Sequence, residues 1–196
     1  MIRKVDNISE EQLEKIRKTV GEAFVVNELF HNWGTMDERR EDVMKYMALY
    51  VDYVYQAGEL YANEEFTGFI GLEDSGNAHK LPQIKMLFKM LMTIRFSKLK
   101  SLVGFAKQVG TSNKRYAKQR HLDALMVCVG KKHQGRGIAS ELVQYAKNMA
   151  DELGVPLLFD TDMKDYADMY QHFGCELYNT VMADNGVTRY SLCYKR

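Results

Sequence analysis

The chain has 196 residues, 46% hydrophobic and 27% charged, which is typical of one globular domain and short for two. Its formal net charge at pH 7 is only +1, so the molecule as a whole has no general attraction for nucleic acid. The three cysteines (Cys128, Cys175 and Cys193) lack CxxC spacing, which disfavours a zinc module and indicates the reduced thiols of a cytoplasmic protein. The sequence has no signal-peptide pattern, which disfavours a secreted protein. No apolar run approaches the roughly 18 residues of a membrane span, which disfavours a membrane protein.

The first third of the chain predicts a strand, two helices and a hairpin. Ser9 and Gln12 have the spacing of a capping box, which marks the start of the first helix. Apolar residues then recur every three or four positions in two stretches separated by a loop over 27–35. The predicted bounds are 2–5 for the strand, about 9–24 and 43–58 for the helices, and 59–62 and 66–72 for the hairpin strands.

The segment between Asp74 and Asp123 differs in charge from its flanks. It contains eleven basic residues and no acidic one, which leaves a balance of −10 for the rest of the chain. Apolar residues keep helical spacing through most of the segment, and lysines take other positions. The pattern predicts an amphipathic helical insert over 75–120, whose simplest interpretation is a basic solvated face over an apolar stripe that packs on the domain.

From Leu122 the pattern becomes that of a strand, with Leu125, Val127 and Val129 predicted on one face and Met126 and Cys128 on the other. A helix over about 135–153, a strand from 155, and a short helix over about 165–173 follow. The turn Asp-Asn-Gly at 184–186 predicts a closing hairpin between 176–183 and 187–194.

The most informative stretch is GKKHQGRGIAS at 130–140, which opens a helix directly after a strand. Small residues there let backbone N–H groups approach an anion, and a helix N-terminus favours negative charge. A P-loop is excluded because Arg136 and Gly137 stand where Lys and Ser or Thr are needed. A dinucleotide site fits poorly, since Ser140 takes the third-glycine position and too few residues follow the helix, although Asp160 and Asp162 fall where a ribose-binding acid would lie. A plain glycine-started helix remains open.

Residues 134–139, QGRGIA, resemble the Q/R-x-x-G-x-G/A signature of the GCN5-related N-acetyltransferases, the GNAT superfamily. The segment from Tyr170 to Cys175 is similar to the family's Y-x-x-x-G-F, and 158–161 resembles the L-E-T of its small-molecule and antibiotic branch. These motifs cover about 121–178, and the order of elements extends the resemblance to nearly the whole chain. The resemblance implies a single α/β domain over 1–196, with a mixed, mostly antiparallel sheet of about seven strands and helices on both faces.

The resemblance also implies acetyl-CoA as co-substrate and a set of residues that bind it. Val127 and Val129 would lend backbone groups to the pantetheine arm. The pyrophosphate would lie on the glycine loop and the first helical turn, formed by Gln134, Gly135, Arg136, Gly137, Ala139 and Ser140.

Tyr170 would protonate the departing thiolate by the same resemblance, and the acid strengths of a phenol and a thiol allow it. Ala124 stands where the family often has a Glu that acts as base through water, and Tyr166 stands where it often has an Asn that contacts the CoA arm. For the base, Asp123 and His121 are the nearest candidates. More distant ones are Glu28, His31 and Glu73.

The sequence thus predicts a cytoplasmic N-acetyltransferase that moves acetyl directly to a small-molecule amine. The alternative is a non-catalytic acyl-CoA-binding or partner-docking module of the same fold. No metal, nucleic acid or membrane partner is expected, and a homodimer remains open. The insert is expected to form a helical lid over the acceptor side, removable without gross unfolding unless its apolar stripe is core. With Lys85, Lys89, Arg95 and Lys98 facing solvent, the lid would repel cationic acceptors. If the apolar stripe faces the site instead, a hydrophobic acceptor follows.

Overall fold

The computed structural model describes residues 1–77, 79–110, 115–116 and 118–196. Within these ranges, strands and helices follow one another in an order close to that expected from the sequence. The elements are β1 (Ile2–Lys4), α1 (Glu10–Phe24), α2 (Met36–Gln56), β2 (Leu60–Asn63), β3 (Gly68–Asp74), α3 (Lys80–Thr93), α4 (Phe96–Val109), β4 (Leu122–Val129), α5 (Ile138–Leu153), β5 (Leu157–Thr161), α6 (Lys164–His172), β6 (Glu176–Met182) and β7 (Thr188–Tyr194).

The described strands form one seven-stranded sheet in the order β1-β2-β3-β4-β5-β7-β6. Only the pair β4–β5 is parallel, and the other pairs are antiparallel. Helices α1 and α2 pack on one face of the sheet, and α5 and α6 pack on the other. The mixed, mostly antiparallel α/β sheet with helices on both faces is therefore confirmed.

Both long N-terminal helices begin at a capping box. In α1, the Ser9 hydroxyl accepts from the Gln12 N–H at 3.2 Å and the Gln12 side chain accepts from the Ser9 N–H at 2.9 Å, as predicted. In α2, Thr35 and Glu38 form the same reciprocal pair. Helix α2 thus begins at Met36, seven residues before Val43. Its apolar periodicity starts only at Val43, because the first two turns carry mostly charged residues that face solvent.

Strand β4 departs from simple alternation at Leu125. Its neighbour Met126 pairs with Gly71 of β3, whereas Ala124 pairs with the next residue, Leu72, so Leu125 is the extra residue of a β-bulge. The bulge turns Leu125 toward the α1–α2 side, where Met126 also packs. The expectation that Leu125 shares a face with Val127 and Val129 is therefore wrong.

The basic insert folds as α3 and α4, and part of its surface belongs to the core. Ile94 packs in the cluster under α1 and α2, while Phe105 and Val109 pack against Ala183 and Val187 of the closing hairpin. This packing argues against an insert that can be removed without destabilising the domain. Lys98, expected to face solvent, instead forms an ion pair with Asp42 at 2.7 Å and is mostly buried.

One buried carboxyl gives the fold a pH-dependent weakness. Glu59, just before β2, is 7% exposed, and its Oε2 has no hydrogen-bond partner among the described residues. Burial, with a smaller contribution from Glu73, raises its pKa from 4.5 to about 8, although Lys4 opposes the rise. The folded state therefore holds a proton that the unfolded chain has lost, and stability falls as the pH rises from about 4.5 to 8.

Replacement of Glu59 by Gln is expected to remove this dependence. The variant should match the natural protein near pH 4.5 and exceed its free energy of unfolding by up to about 5 kcal/mol at pH 9, since the pKa rises by about 3.5 units and each unit is worth about 1.4 kcal/mol. Urea unfolding at both pH values measures the difference. Glu64→Gln, in the exposed turn of the same hairpin, is the control. An equal gain in both variants would contradict the argument.

Candidate active site

A cleft opens in the sheet where its two parallel strands part. The ladder between β4 and β5 ends at the pair Ala124–Phe159, and β4 then runs on to Val129 without β5 beside it. The gap forms part of a cavity of about 400 Å³. The cavity is lined by both strands and also by α1, α2, α6 and the loop before α5.

The pairing of β4 with β3 decides which backbone groups face this cleft. The Gly130 N–H donates to the Thr67 carbonyl at 2.8 Å, while Val129 lies opposite Gly68. In an antiparallel ladder this makes Val129 a non-hydrogen-bonded position toward β3, and Val127 is the next such position. The N–H and C=O groups of Val127 and Val129 therefore point toward the gap. The Val129 carbonyl accepts from Gln134 Nε2 at 3.2 Å.

Two glycines shape the loop that leads from β4 into α5. Gly135 has φ 76° and Gly137 has φ 80°, a left-handed conformation that suits glycine. The sequence predicted a helix from about 135. The left-handed glycines prevent a start there, and α5 begins at Ile138. A Cβ atom on either glycine would have no heavy atom within 4 Å, so this side of the loop is open.

The N-terminus of α5 is free to bind an anion. Its N-cap is Gly137, which has no side chain to cap the first amides, and Ala139 and Ser140 lie in the first turn. Arg136, Lys131 and Lys132 are exposed nearby, and none of the three has an ion-pair partner among the described residues. Uncapped amides and unpaired cations together favour a phosphate or diphosphate at this point.

Tyr170 of α6 lies deep in the same cavity. The residue is 6% exposed, and its ring stacks on Phe159 with centroids 4.5 Å apart. Its hydroxyl has no hydrogen-bond partner within the described part of the chain. Burial raises the pKa of Tyr170 above its ordinary value of 10, so the phenol keeps its proton at neutral pH. A phenol that keeps its proton can donate it but cannot act as a base.

Asp123 and His121 lie side by side at the other end of the cleft. His121 Nδ1 lies 2.7 Å from the Gln119 carbonyl, which only accepts, so Nδ1 carries a hydrogen. His121 Nε2 faces Asp123 Oδ2 at 3.2 Å. Asp123 lines the cavity, whereas His121 is buried behind it.

The environment of Asp123 weakens its acidity. Burial, opposed by His121 and assisted by Asp160 and Glu73, raises its pKa from 3.8 to about 6. Near neutral pH such a group is mostly a carboxylate and is a stronger base than an ordinary aspartate. Its position and pKa suit proton transfer close to the cleft.

The more distant base candidates do not line the cavity. Glu28 and His31 are exposed, lie 3.6 Å apart as each other's partners, and do not line the cavity. Glu73 pairs with Asp123 across the β3–β4 ladder and accepts from the Tyr53 hydroxyl at 3.0 Å. The structure thus brings Tyr170 and Asp123 to one cavity, and His121 lies against Asp123 behind it.

Sequence reasoning missed a charged group at the floor of the cleft. Arg189 donates to both carboxylate oxygens of Asp162 at 2.5 and 2.9 Å, and lies 3.5 Å from Asp160. Asp160 also accepts from the Ser191 hydroxyl at 2.6 Å. All but Ser191 line the cavity. The sequence signal for this charged group was a pair of aspartates, one in the mostly apolar β5 and one just after it. The sequence pattern alone suggested only ribose-binding acids at these positions.

Cys128 is a poor nucleophile. Its thiol points toward α1, with Sγ 3.9 Å from the Thr19 carbonyl, and burial raises its pKa to about 12. A thiol with that pKa is almost wholly protonated at neutral pH. This argues against a covalent route through Cys128.

Residues 97–175 match the family model of the acetyltransferase (GNAT) domain. The match spans β4, the glycine loop, α5, β5 and α6, which are elements that form the cleft. The α/β sheet, with the parallel β4 and β5 parting over the cleft, has the fold of GNAT acetyltransferases. No curated protein sequence matches the chain.

Solved structures with the GNAT fold align over nearly the whole chain. The histone acetyltransferase HPA2 and related acetyltransferase of Corynebacterium glutamicum is 11% identical, with TM-score 0.63 over 100% of this chain and 95% of that one. Arylalkylamine N-acetyltransferase 2 of Aedes aegypti is 13% identical, with TM-score 0.63 over 99% and 98%. An agmatine N-acetyltransferase is 14% identical, with TM-score 0.62 over 99% and 98%. At such identities the likeness is one of fold.

The described part of the chain contains neither a membrane-spanning helix nor a metal cluster. No described helix is long and apolar enough to cross a bilayer. Among the same residues, no group of three or more His, Cys, Asp or Glu side chains could hold a metal ion.

Proposed function

We propose that the protein transfers the acetyl group of acetyl-CoA to the amine of a small molecule. The observation that carries the proposal is one continuous cavity that joins the glycine loop to two proton-transfer groups. Gln134 lines it on the loop side, the open edge of β4 runs along it, and Tyr170 and Asp123 line it deeper in the cleft. The matched GNAT domain supports the same reaction class.

The residues around the loop fit acetyl-CoA. Backbone groups of Val127 and Val129 would bond the amides of the pantetheine arm, since both face the gap between the strands. The open loop and first helical turn would hold the pyrophosphate through Gln134, Gly135, Arg136, Gly137, Ala139 and Ser140. Bound there, acetyl-CoA supplies an activated thioester.

Asp123 is proposed as the general base. An ordinary alkyl amine has a pKa of about 10.4, so at pH 7 only about one molecule in 2,500 is neutral. The resulting handicap is about 4.6 kcal/mol whichever group takes the proton. Asp123 would relay that proton to solvent and then accept the second proton, which the nitrogen releases as the N–C bond forms. His121 acts as a positioning residue, because its Nε2 faces one Asp123 oxygen and leaves the other available.

Tyr170 is proposed to return a proton to the sulfur as the thiol leaves. Its ring is held against Phe159 and its hydroxyl has no competing partner among the described residues. Transfer is direct from thioester to amine, since Cys128 remains a protonated thiol. The reaction would take place in the cytoplasm, which the three free, buried cysteines support.

The second candidate is an acyl-CoA-binding module without chemistry. Ala124 in place of the family's Glu and Tyr166 in place of its Asn favour this alternative. Calorimetric titration with CoA and with NAD tests the cofactor, and CoA release with a panel of amines tests the reaction. Binding of NAD and not CoA would overturn the assignment. CoA binding without release on any amine would favour the module.

The pH dependence of the reaction tests Asp123. With an aromatic amine that is neutral above about pH 5, kcat/KM should rise about tenfold per unit below pH 6 and level off above it, because only ionised Asp123 accepts a proton. Asp123→Asn should remove the inflection and lower kcat/KM at pH 8 by roughly 10- to 100-fold.

Asp165→Asn, in the exposed first turn of α6, is the control for the same charge change. Its profile should match the natural enzyme. An inflection near pH 6 that persists in Asp123→Asn would assign the base elsewhere.

A further inference from the structure

A second cavity lies between the insert helices and the sheet. Its volume is about 590 Å³. Most of its lining is apolar and comes from α3 and α4, including Leu87, Leu91, Leu99, Leu102, Val103 and Phe105. Among the described residues that line it, the charged ones are Asp160 and Arg189, and the described lysines of the insert are not among them.

The two cavities adjoin. Leu29, Tyr46, Asp160 and Arg189 line both of them, so the apolar cavity begins at the charged floor of the cleft. Arg189 pairs with both Asp160 and Asp162, and Asp123 lies in the same cleft. The shared end is therefore acidic, whereas the far end is apolar.

The lining of the second cavity is more exposed than apolar side chains usually are. Leu91 is 63% exposed and Leu87 and Val103 are each about half exposed. Concave, apolar, solvent-open surface of this kind is typical of a ligand pocket. An apolar group bound there would remove these side chains from water, whereas a charged group would lose its hydration without a partner.

We propose that this cavity binds an apolar chain or ring of the acceptor, with the amine at the shared end beside Asp160 and Asp123. This inference rests on the proposed acetyl transfer and names its substrate class: a primary amine on one extended apolar group. Compounds with a second cation far from the reacting amine are excluded from the class, since that cation would lie among leucines.

The test uses straight-chain amines from propylamine to octylamine with the full-length protein. Each added methylene should raise kcat/KM two- to fourfold until the cavity is filled, because each buried methylene favours binding by about that factor. Octane-1,8-diamine, of the same length as octylamine, should be at least tenfold poorer than octylamine.

Leu91→Lys places a charge at the cavity, and Leu81→Lys is its matched control. Both leucines lie on α3 and are similarly exposed, 63% and 65%, but Leu81 does not line the cavity. Leu91→Lys should abolish the dependence on chain length, and Leu81→Lys should keep it. Equal effects of the two variants, or equal kcat/KM for propylamine and octylamine, would overturn the inference.

Calorimetric binding of octylamine separates this inference from the proposed reaction. Binding that Leu91→Lys weakens at least tenfold and Leu81→Lys does not, without any acetyl transfer, would support the pocket and refute the reaction. Acetyl transfer without preference for longer chains would support the reaction and refute the pocket. Absence of octylamine binding would also refute the pocket.

Discussion

Replacing Tyr170 with phenylalanine is expected to lower kcat by about 10²- to 10⁴-fold, the usual contribution of a positioned proton donor. The affinity for CoA should hardly change, because the substitution removes only a hydroxyl. The ring stack on Phe159 survives in the variant. Stability should also be unchanged, since no described residue hydrogen-bonds to that hydroxyl. Steady-state kinetics with an accepted amine, together with thermal unfolding, measures both effects.

Tyr166→Phe is the matched control for this result. Tyr166 lies one turn earlier on α6 and also lines the cavity, but it is more exposed than Tyr170. The control should retain most of its kcat. If Tyr170→Phe keeps full turnover, Tyr170 is a packing residue and the proton reaches the sulfur from water.

Local signals in the sequence predicted the start of α1 and the end of α5 correctly. The capping box of Ser9 and Gln12 marked the start of α1, and Gly154, with φ 65°, ends α5 as a left-handed C-cap. The start of α2 was missed, because its first two turns have no apolar stripe. The box formed by Thr35 and Glu38 was the available signal.

Features that depend on pairing between strands were not readable from the sequence. The bulge at Leu125 arises from the register of β4 against Gly71 and Leu72 of β3, and an alternating pattern of apolar residues does not reveal it. Likewise, the acidic floor of the cleft joins Asp160 of β5 and Asp162, just after β5, to Arg189 of β7. Those residues are 27 or more positions apart in the chain.

The amino-acid composition of the insert suggested where its helices lie, but not which of their faces is turned toward the cleft. A long segment without acidic residues suggested a solvent-facing basic lid. In the structure the lysines do not line the adjoining cavity, and Lys98 is held by Asp42 with its ammonium 5.4 Å from the Trp33 ring. What reaches the cleft is the apolar stripe, because the buried Phe105 and Val109 tie α4 to the closing hairpin. Point substitutions such as Leu91→Lys therefore test the insert better than its deletion.

Replacing Gly137 with valine is expected to abolish CoA binding, by at least about 100-fold, while leaving a folded protein. The residue has φ 80° and begins α5, so a β-branched side chain would strain the backbone by about 1–3 kcal/mol. A Cβ there meets no heavy atom within 4 Å, so the added group would occupy the open side of the loop where the diphosphate is proposed to lie. Calorimetric titration with CoA measures the loss.

Gly154→Val separates this loss from backbone strain. Gly154 ends the same helix with φ 65°, and a Cβ there also meets no heavy atom within 4 Å. Both variants should lose similar stability in thermal unfolding, since both force a branched residue into a left-handed conformation. Only Gly137→Val should lose CoA, because only Gly137 lies at the N-terminal, anion-binding end of α5. Equal loss of CoA in the two variants would show that strain, and not a blocked loop, is the cause.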